Sequence, residues 1–140
     1  MDIAGFWFRQ AKALRDPFDR LMAAYVAFTY LHIGGRKPKE SERGCAARYA
    51  VDMCVLHSFD PFSCDVSEYR EGPVQSTRPG HEGEQFGLSD EEMPSELFST
   101  IHQVRSNLFN GSPFFLDDRA PRLARQGADV LIGLLSRILS

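Results

Sequence analysis

The stretch from Phe18 to Ile33 constrains the fold of this chain most. Phe18, Leu21, Met22, Tyr25, Val26, Phe28, Leu31 and Ile33 recur at helical spacing. Together they make an apolar face broad enough to be buried inside a bundle. Asp16 just before the stretch suits an N-cap and Pro17 suits the first helical position, where its missing N–H is no loss. Asp19 adds negative charge to the first turn, which the helix dipole favours. Gly34-Gly35 marks the end.

The rest of the chain repeats this pattern. Gly5 to Arg15 predicts a short helix with Phe6, Trp7, Ala11 and Leu14 on one side. Lys37-Pro38-Lys39-Glu40 predicts the opening of another, running to about His57, with Cys45, Ala46, Tyr49, Ala50, Met53, Cys54 and Leu56 buried. Ser89 to Glu92 and Pro94 predict a start for the helix carrying Leu97, Phe98, Ile101, Val104 and Leu108. Phe109-Asn110-Gly111-Ser112-Pro113 predicts its stop, and Asp117-Asp118 begins a last helix with Leu123, Val130, Leu131, Leu134, Leu135 and Ile138 inward. No strand-like alternation persists. Residues 62–88, with Gly72-Pro73, Arg78-Pro79-Gly80 and Gly83, predict a loop-rich insertion forming an exposed lobe, with a short helix within Ser63 to Tyr69. The expected class is all-α, an up-and-down bundle of four to five helices in one domain over residues 1–140.

Composition narrows the function classes. A net charge of −3 gives no broad electrostatic footprint for nucleic acid, although a small cleft can be positive on an acidic protein. Cys45, Cys54 and Cys64 form no CxxC pair, so free thiols are expected rather than zinc ligands. No apolar run approaches the roughly 20 residues of a membrane helix. The start, Met1-Asp2-Ile3-Ala4-Gly5, lacks the basic flank of a secretory signal, so a cytoplasmic location is the expectation.

Chemistry is concentrated in Val104-Arg105-Ser106-Asn107-Leu108-Phe109-Asn110-Gly111. The octet resembles the signature of HEPN domains, small all-helical proteins many of which are metal-independent ribonucleases. Their pattern is an arginine, a polar residue, an asparagine, two apolar residues, a histidine and a glycine. Arg105, Asn107, Leu108, Phe109 and Gly111 match it, and Asn110 stands where the histidine belongs. Asp16-Pro17 and the helix behind it, and the closing helix, are also similar to that family; residues 62–88 are not. The resemblance implies that Arg105 binds the scissile phosphate and that a ribose 2′-hydroxyl attacks it, with no metal or other cofactor. It also implies a homodimer whose two signatures share a cleft, a role in toxin–antitoxin systems or antiviral defence, and an antitoxin or defence-system protein as a further partner. Asn107 is the supporting residue. Because a carboxamide moves no protons at pH 7, Asn110 implies weak or absent cleavage. It marks either a degenerate member or a histidine replaced so that a toxic nuclease can be expressed.

Five residues apart, Arg105 and Asn110 splay on a continuous helix. A turn that unwinds or tightens after Leu108 is therefore expected, with Gly111 in a conformation open to glycine. His102, one turn before Arg105, is a candidate substrate contact that could stand in for the missing imidazole, or an ordinary exposed or partner-facing histidine. Arg119, Arg122 and Arg125 form a basic edge, read as a solvated face or as RNA contact beside Arg105. His32 and His57 read as positively charged helix ends, and His81 as an exposed loop residue. Phe6, Trp7, Phe8, Phe18, Tyr25 and Phe28 read as core or subunit interface. The alternatives to a nuclease are a non-catalytic dimerisation or partner-binding module, and a nucleotide- or small-ligand-binding protein with its pocket along residues 62–88.

Overall fold

The computed structural model describes residues 2–111 and 117–140. Within them the chain is mostly helical: α1 (Ile3–Ala13), α2 (Pro17–His32), α3 (Glu42–Leu56), the short α4 (Ser67–Arg70), α5 (Pro94–Asn110) and α6 (Ala120–Ile138), with single 3-10 turns at Ile33–Gly35 and Pro61–Ser63. A small antiparallel hairpin, β1 (Val74–Gln75) and β2 (Gln85–Phe86), pairs Val74 with Phe86 and Gln75 with Gln85. Among the described residues no helix is long and apolar enough to cross a membrane. The expected turn at Ser112-Pro113 lies outside the described residues.

α2 starts as its sequence dictates. The Asp16 carboxylate accepts from the Phe18 and Asp19 amides, both at 3.0 Å, with Pro17 in the first turn. Its apolar face packs on α1 on one side and α6 on the other, while α3 packs against α5. One continuous core draws Phe8 from α1, Leu21 and Phe28 from α2, Ala50 from α3, Ile101 from α5 and Leu131 from α6. Arg20 ties α2 to α6 through Asp129 at 2.8 Å.

Two helix starts differ from expectation, each through a cap. Asp2 accepts from the Gly5 amide at 2.8 Å, so α1 opens two residues earlier. Its buried face is Ala4, Gly5, Phe8 and Ala11, leaving Phe6 exposed and Trp7 half-buried. α3 is capped by Ser41, whose hydroxyl accepts from the Gly44 amide at 2.9 Å. Lys37–Glu40 is a turn instead, with Lys39 at φ 66° and the Glu40 carboxylate held by Arg48 at 2.8 and 2.9 Å.

Residues 62–88 form an exposed lobe only in part: residues 78–80 and 82–85 are exposed. Val66, Tyr69 and Val74 belong to the core. Tyr69 is 1% exposed and its hydroxyl donates to the Leu123 carbonyl at 2.8 Å. Gln126 of α6 accepts from the Glu68 amide at 2.9 Å and donates to the Ser67 hydroxyl at 3.0 Å. Three apolar anchors and these bonds outweigh the local preference for loop.

Candidate functional site

α5 carries every residue of the octet as far as Asn110, and the helix begins on a firm footing. Glu96 accepts from the Met93 amide and the Ser89 hydroxyl, both at 2.9 Å, with Pro94 at the start. At about 100° per residue the octet points in several directions. Val104 and Leu108 enter the core. Asn107 meets the hairpin, and Arg105 turns toward α2 and α3.

Asn107 is 1% exposed and fully partnered. Its Oδ1 accepts from the Thr77 amide at 3.0 Å, the Thr77 hydroxyl at 3.2 Å and Gln103 Nε2 at 2.7 Å, and its Nδ2 donates to the Gln75 carbonyl at 2.8 Å. A carboxamide fits because it offers acceptor and donor at fixed separation. It pins the strand edge of residues 75–77 onto α5.

Arg105 sits between two rings. Its guanidinium carbon is 5.0 Å from the Tyr25 ring centre and 4.7 Å from that of Phe109. Glu42 of α3 lies 3.5 Å from its Nη2. The side chain lines two cavities, one on either side. The first, of about 310 Å³, is polar and includes Glu42, Arg43, Arg78, His102, Ser106 and Asn110. The second, of about 330 Å³, is mostly apolar and runs along α2 from Met22 to Ile33, opposite Phe109.

Three arginines, Arg43, Arg78 and Arg105, line the polar cavity. Arg43 bonds Gln103 and lies 3.7 Å from the Phe86 ring centre, and burial is the main force lowering its pKa. Glu84, which pairs with His81, and Glu42 partly offset these cations. His81 is a loop residue between β1 and β2, its side chain 41% exposed, and it lines the cavity. His102 is buried at 7% exposure, with Nδ1 3.5 Å from the Ser106 hydroxyl and Nε2 without a hydrogen-bond partner. Burial first, then Arg43, Arg105 and His32, push its pKa down to about 3. His102 is therefore a neutral ring at pH 7, not an exposed histidine.

α5 stays α-helical through Asn110, and the Gly111 amide donates to the Asn107 carbonyl at 3.1 Å. The expected unwinding after Leu108 does not occur, because nothing interrupts the ladder there. Gly111 has φ 91°, a conformation that favours glycine. Arg105 and Asn110 still line the same cavity, on a helix that is continuous between them.

Arg119 and Arg122 are elsewhere. Both bond Glu68, at 2.9 and 3.1 Å, and Arg119 also donates to the carbonyls of Glu68 and Gly72 at 2.8 and 3.1 Å. They clamp α4 onto α6 and line neither Arg105 cavity. His32, expected as a charged helix end, is instead 1% exposed. Burial lowers its pKa, and Cys45 Sγ lies 3.6 Å from its Nδ1. The three thiols are free, with Cys45 and Cys54 buried and Cys64 half-buried; burial raises the pKa of each. Among the described residues no group of three or more His, Cys, Asp or Glu is placed to hold a metal ion.

A third cavity, of about 600 Å³, does lie along the 62–88 segment, between α4, the hairpin and the start of α5. Arg70 and Glu92 on its wall pair with each other at 2.6 Å, and Glu96 caps α5. Sequence reasoning missed Arg43 and Arg78. Arg43 reads as one more charge on the solvent side of α3, and only the packing of α3 on α5 reveals its role. No family model, curated protein or solved structure matches the chain.

Proposed function

We propose that this chain is a HEPN-like, RNA-binding protein in which Arg105 holds a backbone phosphate and Asn110 occupies the proton-transfer position. Cleavage by the chain as it stands is then weak or absent. The observation that carries this reading is the convergence of Arg43, Arg78 and Arg105 on one small cavity of a net-acidic protein. Planar, permanently charged forks suit phosphate oxygens. The reaction would be attack of a 2′-hydroxyl on the adjacent phosphate, with the proton leaving the hydroxyl and another reaching the departing 5′ oxygen. Asn110 can hydrogen-bond either oxygen but can carry neither proton. His102, with its pKa near 3, is too weak a base to substitute. The reading includes a homodimer whose Arg105 cavities face each other, and a toxin or defence setting with a regulatory protein partner.

The test is an endoribonuclease assay that detects 2′,3′-cyclic phosphate ends. Asn110→His should raise cleavage by roughly 100- to 10,000-fold, the usual contribution of a general acid–base group. Arg105→Ala in that background should remove it. A folded Asn110→His protein that cuts no faster than its parent would refute the nuclease reading.

A second reading, a non-catalytic dimerisation or partner-binding module, is favoured by Val55 and Leu56. These neighbours at the end of α3 are 77% and 69% exposed. Paired exposed aliphatics of this kind suit a protein contact, and under this reading Asn110→His changes nothing.

A further inference from the structure

We infer that the apolar cavity beside Arg105 is a base-stacking slot, so that the site takes an unpaired RNA nucleotide with its phosphate on one side of Arg105 and its base on the other. The inference rests on the RNA-binding reading and specifies the substrate. Arg105 is the shared wall of the two cavities, polar with Arg43 and Arg78 on one side and apolar with Tyr30 and Phe109 on the other. A nucleotide is a ligand of the same construction, an anion joined at short range to a flat aromatic group.

The slot has the chemistry that bases use. Phe109 is 63% exposed and Tyr30 54% exposed, so both rings are open to a ligand in the cavity they line. Aromatic faces and arginine planes are the sequence-tolerant platforms on which unstacked bases rest, and Phe109 already stacks near Arg105 at 4.7 Å. Tyr25, 3% exposed, also lines the slot. Glu42, 3.5 Å from Arg105, must yield to the incoming phosphate. A paired base is held in its stack and cannot reach the slot while its phosphate reaches Arg43 and Arg78, so duplex RNA is excluded.

The experiment measures fluorescence anisotropy on the whole chain with a labelled oligouridylate of about ten nucleotides. The strand is 2′-O-methylated so that it cannot be cut, and the comparison ligand is the same backbone without bases. The parent protein should bind the intact strand at least about tenfold more tightly than the abasic one. Phe109→Ala and Tyr30→Ala, both surface changes that leave the core alone, should each remove most of that gap with abasic binding unchanged. Arg105→Ala should weaken both strands. Equal affinity of the parent for intact and abasic strands, with Arg105→Ala still weakening both, would overturn the slot and leave the RNA reading standing. Binding of neither strand would overturn both. A shift of Phe109→Ala from dimer to monomer on size exclusion, with base discrimination intact, would make the cavity a subunit interface and overturn the slot.

Discussion

Acidification to pH 5 should destabilise the protein through His102. The ring is buried with Nε2 unpartnered, beside the Tyr25 ring at 5.7 Å, with Arg43 and Arg105 opposing any positive charge. Its pKa is about 3 in the folded protein against an ordinary 6.5. Between these values the unfolded chain binds the proton and the folded chain does not. Stability therefore falls as pH drops below about 6.5 and stops falling, for this group, near pH 3. From pH 7 to pH 5 the loss attributable to His102 is about 2 kcal/mol, and His32, whose pKa is also lowered by burial, adds to it. Depressed carboxylates such as Glu40 and Glu68 titrate at lower pH and do not enter this window. Urea unfolding at pH 7 and pH 5, on the parent and on His102→Leu, measures the effect as a difference of differences. The variant should lose about 2 kcal/mol less than the parent. An equal loss in both proteins would refute the assignment of His102 as a buried neutral ring.

Three further substitutions test the packing that shapes the site. Gly127→Ala places a methyl 2.5 Å from the buried Tyr69 oxygen and should lower stability by about 1–3 kcal/mol in urea unfolding, whereas Gly34→Ala, with nothing within 4 Å, should change little. Asn107→Leu leaves the Thr77 amide, the Gln75 carbonyl and Gln103 without their partner; it should cost about 2–3 kcal/mol and speed hydrogen exchange at the Thr77 amide, and unchanged exchange there would show that the clasp holds no weight.

What the sequence made legible was helical, and the reason is local. Asp16-Pro17 fixes the start of α2 through contacts within three residues, so the pattern carries its own explanation. The stripes of α5 and α6 follow from the 3.6-residue period and reappear as Leu97, Ile101 and Val104, and as Leu123, Leu131 and Leu135, in the core. Arg105 and Asn110 on one cavity were also anticipated, although by the wrong distortion. The 62–88 segment was not legible, because its order comes from far away. Tyr69 is fixed by Leu123, Glu68 by Arg119 and Arg122, and Thr77 by Asn107. His32 and His102 were misplaced for a related reason: helical periodicity gives the direction of a side chain but not how deeply the neighbouring helices cover it.

The least readable segment and the most readable motif turn out to depend on each other. Arg78, His81 and Glu84 of the polar cavity lie in the hairpin region, and Arg43, Arg105 and Asn110 lie on helices. The asparagine of the octet joins the two. By bonding Gln75 and Thr77 it sets where the chain goes next, and the Arg78 amide, donating to the Ser76 hydroxyl at 3.2 Å, continues that path. Asn107 is thus a positioning residue: it does not line the polar cavity, yet it holds the strand edge that leads to Arg78. Without Arg78 the cavity keeps Arg43, bonded to Gln103, and Arg105, shared with Glu42 at 3.5 Å. A third guanidinium adds to the phosphate-holding capacity of the two on the helices, so the clasp at Asn107 supports the binding chemistry proposed for Arg105.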